Sequence, residues 1–295
     1  MWEFVSCEDG PASVEHCSRG NLLTRRSAIL LAAGAFSLLM PACGGNATSG
    51  VSGSDTSSAS KNPPPRTEVE VRESGSPTAA TRSSEFSRML DAGEVSSIRL
   101  IGDSITAGYE CDGYGPFTDL CIYDGAYGTF YETAPEVSCW ANDFRSYASD
   151  RGVGTFVNAG ICGAKMRWLA EDADPWLDDG ADVIFVMLGT NDAVYHTEDD
   201  FRSSAEAGLA SVAERCKHMV VLAPPDNAWV DYEKVIDQAT VERVLREVCE
   251  SHSWSFVSLY DAIELGTDQL NSDGCHPTSK GSHRLWDRVK SDLGL

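Results

Sequence analysis

The feature that most constrains the fold is the run Asp182–Leu188 (DVIFVML), which is apolar at every position after the first. A strand with one face in water alternates apolar and polar residues, so an unbroken apolar run predicts a strand covered on both faces, as in a parallel sheet. Four further runs have strand character and are separated by helical or irregular stretches. They are Ser97–Ile101, Gly154–Val157, Met219–Ala223 and Ser255–Leu259.

Apolar residues recur at helical spacing between and after these runs. The clearest stretches are Phe201–Cys216, Val230–His252 and Ser279–Leu293. Strands that alternate with helices predict a parallel sheet with helices on both faces. The predicted fold class is therefore α/β, a three-layer α/β/α arrangement around a five-stranded parallel sheet. Ligands bind such sheets beyond the carboxyl ends of the strands, so the chemistry is expected in the residues that follow the strands.

The N-terminal region has the layout of an export signal. Arg25 and Arg26 precede the apolar run Ala28–Met40, and a run of this length after positive charges is typical of a secretory signal peptide. The arginine pair also resembles a twin-arginine signal, and Cys43 ends a segment that resembles a bacterial lipoprotein cleavage site. Residues 1–43 are therefore predicted to be an extension and signal peptide, and the protein is expected to be exported. It would be anchored through a lipid on Cys43 or, alternatively, secreted freely.

Residues 44–90 are rich in Ser, Thr, Gly and Pro and contain few large apolar residues. Such a composition cannot bury enough surface to offset the conformational entropy of the chain. We predict that it forms a disordered tether. Residues 91–295 remain, and they are numerous enough to build one hydrophobic core.

The charge of this last region limits its partners. From Asp91 onward the chain has 36 acidic and 15 basic residues, a net charge of −21. Such a surface repels nucleic-acid phosphates and anionic lipids. Nucleic acid is therefore excluded as an expected partner, and membrane contact is expected only through the N-terminal anchor.

Four motifs place small or polar residues where the predicted strands end or near the C-terminus. Because the carboxyl ends of parallel strands share one edge of a sheet, the motifs after strands should lie close together. The motifs are Gly102–Thr106 (GDSIT), Asn158–Gly163 (NAGICG), Gly189–Asp192 (GTND) and Asp273–Pro277 (DGCHP).

The side chains in these motifs suit acyl transfer. The Ser104 hydroxyl needs a base to become a nucleophile, and His276 can be that base. Asp273, three residues earlier, can accept a hydrogen bond from the other imidazole nitrogen and fix the tautomer. The backbone amides of Ser104 and Gly163 and the side-chain amide of Asn191 would supply three donors to an oxyanion.

In these blocks residues 97–295 resemble the SGNH, or GDSL-type, hydrolases. The family is named for one Ser, Gly, Asn and His, which fall here on Ser104, Gly163, Asn191 and His276. The resemblance makes Asp273 the acid of the triad. Ser104 does not lie in a G-x-S-x-G elbow, which argues against an α/β-hydrolase.

One position within the resemblance has a competitor. Gly160 could also be the glycine of the second block, but Gly163 fits the family spacing of five residues after Asn158. The resemblance implies a three-layer, flavodoxin-like fold and the hydrolysis of esters without a metal or other cofactor. Family members include lipases, thioesterases and carbohydrate O-deacetylases.

We therefore predict a serine-dependent carboxylic ester hydrolase. Its expected substrates are small-molecule or carbohydrate esters, from which it removes short acyl groups, acetyl above all, through an acyl-enzyme. A lipase or lysophospholipase is the first alternative. A non-catalytic glycan-binding lipoprotein is the second.

Specificity is expected to reside in the segment between Gly108 and Trp140, which lacks a regular pattern and holds five of the nine tyrosines. A long connection without secondary structure is usually functional or disordered, and its aromatic residues argue against disorder. We predict a folded loop over the active site, whose tyrosines stack on sugar rings. A small satellite core is the alternative. The segment has no Leu, Ile or Val run to line a long acyl channel. The tyrosines are Tyr109, Tyr114, Tyr123, Tyr127 and Tyr131.

The ten cysteines, together with an export signal, predict disulfides. Export would leave seven in the body, so at least one would be free or paired between chains. A bridge between Cys216 and Cys249 is expected because each lies at a helix end before a strand. Two of Cys111, Cys121 and Cys139 are also expected to pair.

Overall fold

The computed structural model describes residues 84–295. The predicted signal peptide, Cys43 and most of the predicted tether lie outside the described residues. The strands of the described part are β1 Ser97–Gly102, β2 Phe117–Gly125, β3 Gly128–Thr133, β4 Thr155–Gly160, β5 Ala181–Met187, β6 Cys216–Ala223 and β7 Ser255–Ser258. Its helices are α1 Glu85–Asp91, α2 Ser104–Ala107, α3 Trp140–Ser149, α4 Met166–Glu171, α5 Asp174–Leu177, α6 Asp192–Tyr195, α7 Glu198–Ala213, α8 Gln238–His252 and α9 Ser279–Leu293.

Five strands form a parallel sheet in the order β4-β1-β5-β6-β7. Strand β1 pairs with β4 on one side and with β5 on the other, so that Ile98 lies opposite both Phe156 and Val183. The strand order therefore reverses between β1 and β5. In open parallel sheets this switch point, at the carboxyl ends of the strands, is where a crevice forms.

Helices cover both faces of the sheet, which confirms the predicted α/β/α class. Leu100 and Phe185 point to the core shared with α1, α3 and α9. Ile101 and Ile184 point to the opposite core, shared with α4, α7 and α8. Because neighbouring residues of a strand face opposite sides, burial on both sides explains why these strands are apolar throughout.

Helix α1 lies inside the range that we predicted to be tether. Its N-terminus is capped by the Ser84 side chain, which accepts a hydrogen bond from the Ser87 amide. Phe86 and Leu90 are buried in the core that the sheet shares with α3 and α9. The boundary predicted at Asp91 is therefore wrong, and the folded part includes residues from Ser84 onward. A helix of seven residues with three apolar side chains gives too little periodicity to be detected beside a polar segment.

Two predicted helices have different bounds in the structure. Helix α7 begins at Glu198, because the Thr197 hydroxyl caps it, and it ends at Ala213, so that Cys216 already belongs to β6. Helix α8 begins at Gln238, where the Asp237 side chain accepts a hydrogen bond from the Thr240 amide. Residues 224–237 are irregular instead of helical, and we refer to them as the 224–237 loop.

The segment between Gly108 and Trp140 contains a β-hairpin, so the predicted irregular loop is wrong for residues 117–133. Strands β2 and β3 pair antiparallel, with Gly125 opposite Gly128 at the tip and irregular register around Cys121. Ile122 and Tyr123 are buried against the core on the α4 side. Alternation of apolar and polar residues is broken by that irregular register, which is why the sequence pattern did not show two strands.

The predicted disulfides are not found, since all seven cysteines of the described residues are free thiols. The Cys216 thiol contacts the Val212 carbonyl, whereas Cys249 is buried in α8. Cys111 contacts the Pro277 carbonyl at 3.6 Å, and Cys121 lies exposed on the hairpin. Burial raises the pKa of both Cys111 and Cys249 to about 12, so these thiols are protonated and unreactive at neutral pH.

Candidate active site

The turn after β1 presents Ser104 at the carboxyl edge of the sheet. Asp103 is the N-cap of the short helix α2, and its Oδ1 accepts a hydrogen bond from the Ile105 amide at 2.9 Å. This cap fixes the first helical residue, which is Ser104. The result is a buried, well-defined hydroxyl position directly beyond β1.

Asp103 itself is fully buried beside the serine. Burial raises the pKa of Asp103 to about 7, although the hydrogen bond from the Ile105 amide opposes this effect. A carboxyl group with no exposed surface cannot approach substrate. Asp103 therefore braces the turn that carries Ser104.

Ser104, His276 and Asp273 form a hydrogen-bonded series. The Ser104 Oγ and His276 Nε2 atoms lie 2.9 Å apart, and His276 Nδ1 lies 2.5 Å from Asp273 Oδ2. The other Asp273 oxygen accepts hydrogen bonds from the amides of Cys275 and His276, at 2.9 and 3.0 Å. The structure thus brings the Ser104 hydroxyl to an imidazole and a carboxylate from a distant segment, with Ser104 and His276 172 residues apart in the chain.

The surroundings of Asp273 favour its charged form. Burial alone would raise the pKa of Asp273, but the hydrogen bonds from the His276 ring and from the two backbone amides together hold it below its ordinary value. An ionised Asp273 accepts the Nδ1–H of His276, which leaves Nε2 unprotonated and directed at the Ser104 hydroxyl. In this tautomer the imidazole can act as a base.

The structure distinguishes the two candidate glycines after β4. Gly163 has a φ of +78°, and a Cβ built on it would meet nothing within 4 Å. A Cβ on Gly160 would lie 2.4 Å from the Ala107 amide nitrogen. Gly160 therefore permits close packing of β4 on α2, whereas Gly163 borders open space, as an amide that contacts substrate must.

Asn191 follows β5 and is buried, with its side-chain nitrogen donating to the Ala164 carbonyl at 3.0 Å. That bond uses one of its two N–H groups and orients the amide. Gly163, Ser104 and Asn191 follow β4, β1 and β5, which are neighbours in the sheet. The three proposed donors thus lie at adjacent strand ends around the switch point.

Three of the five predicted tyrosines border the site or the cavity beside it. The Tyr109 and His276 ring centroids are 4.7 Å apart, and Tyr114 packs edge-on against Tyr109 at 5.2 Å. The Tyr114 hydroxyl lies 3.2 Å from the Cys162 thiol, next to Gly163. Tyr131 is exposed and lines the adjacent cavity.

The prediction is wrong for Tyr123 and Tyr127. Tyr123 is buried and donates a hydrogen bond to Asp172 at 2.6 Å. Tyr127 stacks on Trp168 with ring centroids 4.3 Å apart. These two tyrosines form the satellite core that was the alternative, because the register of the hairpin turns them toward α4 and α5.

A cavity of about 350 Å³ lies between the hairpin and the end of β4. Its inner wall includes Ala107, three residues after Ser104, and Cys162, which precedes Gly163. The outer wall is mainly aromatic. It consists of Tyr114, Phe117, Phe130 and Tyr131.

Two aromatic residues near His276 were missed in the sequence. The Trp229 ring centroid lies 5.9 Å from that of His276, and Tyr232 lies 4.5 Å from Trp229. Both belong to the 224–237 loop, and the helix predicted over Val230–His252 is wrong for the part that overlaps this loop. The signal that could have revealed them is Pro224-Pro225, which together with the following polar residues is typical of irregular structure.

The structure contains a second Ser–His–Asp series, formed by Ser138, His283 and Asp143. The Ser138 Oγ to His283 Nε2 distance is 3.1 Å, and His283 Nδ1 lies 2.5 Å from Asp143 Oδ2. The amides of the two residues after Ser138 are both engaged in hydrogen bonds within the protein. With those donors occupied, this series has no ready oxyanion site, and it joins α3 to α9 instead.

The fold has three layers, and a buried serine, a histidine and an aspartate lie in hydrogen-bonded series at the switch point of its sheet. This is the architecture of a serine-type hydrolase. The chain belongs to the GDSL-like lipase/acylhydrolase family, whose model matches residues 100–284. It is therefore a carboxylic ester hydrolase that acts on ester substrates.

Solved structures with the same fold include LAE5, an alpha/beta hydrolase enzyme from the metagenome of Lake Arreo, Spain. It is 20% identical, with a TM-score of 0.53 over 68% of this chain and 95% of that chain. A mutant of Axe2, an acetyl-xylooligosaccharide esterase from Geobacillus stearothermophilus, is 20% identical, with a TM-score of 0.51 over 68% and 94% of the two chains. No curated protein matches the sequence. At these identities the likeness to solved structures concerns the fold.

Proposed function

We propose that this esterase removes short acyl groups, acetyl above all, from carbohydrate esters through an acyl-enzyme on Ser104. The Ser104 oxygen attacks the acyl carbonyl while His276 takes its proton. The amides of Ser104 and Gly163 and the Asn191 side chain hold the resulting oxyanion. His276 then gives the proton to the leaving alcohol oxygen, and the acyl group stays on Ser104. Water gives a proton to His276 and attacks the acyl carbonyl; as the acid is released, His276 returns that proton to the Ser104 oxygen.

The observation that carries this mechanism is the 2.9 Å contact between Ser104 Oγ and His276 Nε2, with His276 Nδ1 held by Asp273. This distance lies within the hydrogen-bond reach that proton transfer requires. No side-chain movement is needed to bring the nucleophile to its base.

Two observations favour carbohydrate esters over lipids. The walls around the site are mainly aromatic, with tyrosine hydroxyls at Tyr109 and Tyr114, which suits a sugar that offers both apolar C–H faces and hydroxyl groups. The strongly acidic body repels anionic phospholipid surfaces. Uncharged carbohydrate is not affected by this repulsion.

A lipase or lysophospholipase is the second candidate, and one observation favours it. Phe117 and Leu120 on the hairpin are 53% and 46% exposed, beside a mainly apolar cavity. Exposed apolar residues next to a cavity are typical of surfaces that contact lipid or another apolar partner.

A comparison of substrates separates the two candidates. The purified folded part would be assayed on p-nitrophenyl acetate, p-nitrophenyl palmitate and acetylated xylan. We expect turnover of both acetyl esters and little turnover of the palmitoyl ester, because the side chains that line the cavity beside the site are mainly aromatic and not aliphatic. A higher kcat/KM on the palmitoyl ester would contradict the proposal and support a lipase.

Asn191→Ala tests the third oxyanion donor. We expect kcat on p-nitrophenyl acetate to fall about 10²–10³-fold, equivalent to about 3–4 kcal/mol, because the donor acts on charge that develops in the transition state. KM should change little. The unfolding midpoint serves as the control, since the variant also loses the bond to the Ala164 carbonyl. A fall of less than 10-fold in kcat in a folded variant would remove Asn191 from the proposed machinery.

We also propose that the protein is exported and anchored through Cys43 or secreted. The support is the arginine pair and the apolar run in residues 24–43. Within residues 84–295, no helix is both long and apolar enough to cross a bilayer.

A further inference from the structure

We propose that Trp229 and Tyr232, in the 224–237 loop, form the subsite that binds the sugar ring of the leaving alcohol. This inference rests on the proposed function and names which surface recognises the carbohydrate. The subsite lies outside the tyrosine-rich segment in which the sequence suggested that specificity would reside.

The position of the leaving group follows from the mechanism. His276 Nε2 must give its proton to the leaving oxygen, so the leaving alcohol lies within about 3 Å of that nitrogen. The Trp229 ring stands at 80° to the His276 ring with centroids 5.9 Å apart. A sugar ring attached to the leaving oxygen is therefore brought beside Trp229.

The other flank of the imidazole is already covered. Tyr109 packs on the His276 ring, and Tyr114 packs on Tyr109. On the Trp229 side the surface is open, because Tyr232 is 44% exposed and Val230 is 70% exposed. Trp229 is half-buried and Tyr232 is exposed. Partly accessible Trp and Tyr rings beside a reacting group are the kind of residue that dominates binding energy at recognition sites.

Backbone hydrogen bonds fix the position of the 224–237 loop relative to the segment that carries Asp273. The Ala228 amide donates to the Gly274 carbonyl at 2.9 Å, and the Val230 amide donates to the Asp273 carbonyl at 3.0 Å. Gly274 has a φ of +71°, and a Cβ there would lie 2.4 Å from the Ala228 carbonyl oxygen. The close approach thus requires glycine, and Trp229 is positioned by the same loop that carries the catalytic acid. A rigid platform loses little entropy when it binds.

The charges around the platform favour an uncharged ligand. Asp231 and Glu233 are exposed on the same loop. The loop's single basic residue, Lys234, donates to the Asn227 carbonyl at 2.7 Å within the loop itself. Carboxylates accept hydrogen bonds from sugar hydroxyls but repel phosphate and carboxylate groups. We therefore assign the subsite to a neutral pyranose ring, whose C–H face can lie on the indole.

The test compares two esters with the same acyl group and different alcohols, namely acetylated xylobiose and ethyl acetate. For Trp229→Ala we expect kcat/KM on acetylated xylobiose to fall about 10-fold or more. On ethyl acetate it should stay within about twofold, because the loop hydrogen bonds that position Asp273 involve only backbone atoms. Tyr232→Ala should show the same pattern more weakly, and Trp229→Phe should recover part of the loss. Inhibition by free xylobiose should weaken in parallel in Trp229→Ala.

Trp254→Ala is the matched control. Trp254 precedes β7 and therefore lies at the opposite edge of the sheet from the site. It should leave the ratio of the two kcat/KM values unchanged.

The possible outcomes distinguish a failure of the proposed subsite from a failure of the proposed esterase function. Equal losses on both esters would mean that Trp229 only supports His276, and would overturn the subsite while the esterase mechanism stands. No change on either ester would overturn it as well. A wild-type enzyme that hydrolyses ethyl acetate or a long-chain ester but leaves acetylated xylobiose intact would overturn the proposed carbohydrate specificity, and the subsite with it.

Discussion

Ser104→Ala is expected to lower kcat on p-nitrophenyl acetate by about 10⁵–10⁶-fold, equivalent to about 7–8 kcal/mol of transition-state stabilisation. Without the hydroxyl no acyl-enzyme can form, and His276 has only water to activate. The oxyanion donors remain, so some turnover above the uncatalysed reaction should persist. The measurement is steady-state hydrolysis together with a search for the acetylated enzyme by mass spectrometry after rapid quenching.

The chain provides a matched control in its second Ser–His–Asp series. Ser138→Ala removes a serine with nearly the same contact to a histidine, 3.1 Å against 2.9 Å. We expect kcat to be unchanged, while the unfolding free energy falls by about 0.5–1.5 kcal/mol through the lost hydrogen bond. Turnover that survives Ser104→Ala at more than one-hundredth of the wild-type rate, or a large loss in Ser138→Ala, would contradict the assignment of the nucleophile.

Asp273→Asn is expected to lower kcat by about 10⁴-fold with the fold intact. The Asn oxygen can still accept the amides of Cys275 and His276, as Asp273 Oδ1 does at 2.9 and 3.0 Å. Its NH₂ group then faces His276 Nδ1 and donates to it. The imidazole proton moves to Nε2, and His276 can no longer accept the proton of Ser104.

The pH range over which the wild type and this variant should differ follows from the pKa of Asp273 in the wild type, which is held below its ordinary value. A carboxylate with a lowered pKa is charged above its unfolded-state pKa, and its contribution is lost only as the pH falls through the lower folded value. Asp273 should therefore be charged throughout the range from about pH 5 to pH 9, and the wild-type kcat should exceed the variant kcat at every pH in it. A ratio of the two kcat values that approaches one within this range would show that His276 does not depend on Asp273.

Asp143→Asn provides the corresponding control, because Asp143 holds His283 at 2.5 Å in the second series. We expect full activity at every pH and a lower unfolding midpoint. Parallel losses in both Asn variants would indicate a general structural effect in place of a tautomer effect.

The strands and the catalytic blocks could be predicted because their pattern is local. Burial on both faces makes the strand Asp182–Leu188 apolar throughout, and a parallel sheet then requires its following residues to share an edge with those of the other strands. The position of each block after a strand predicted that Ser104, Asn191 and Gly163 share one edge of the sheet, and the strand order in the structure makes those strand ends neighbours. Geometry then separated Gly163 from Gly160 by the space around each residue.

The surroundings of the site could not be predicted, because they depend on partners distant in sequence. Tyr109 and Tyr123 are the same residue type in one segment, yet one packs on His276 and the other is buried beside Asp172. The irregular register of the hairpin makes this choice. The 224–237 loop is likewise held by the backbone of residues 273 and 274, which no local pattern reveals.

By itself, the sequence determined the layered α/β class and the residues that the proposed reaction uses, because hydrophobic periodicity and strand-end position are properties of neighbouring residues. The tertiary structure alone decided which aromatic rings face the His276 imidazole, that the amides following Ser138 in the second Ser–His–Asp series are bonded within the protein, and that the described thiols remain unpaired. Those outcomes depend on contacts between segments far apart in the chain, where a shift of one residue in register turns a side chain from the site to the core.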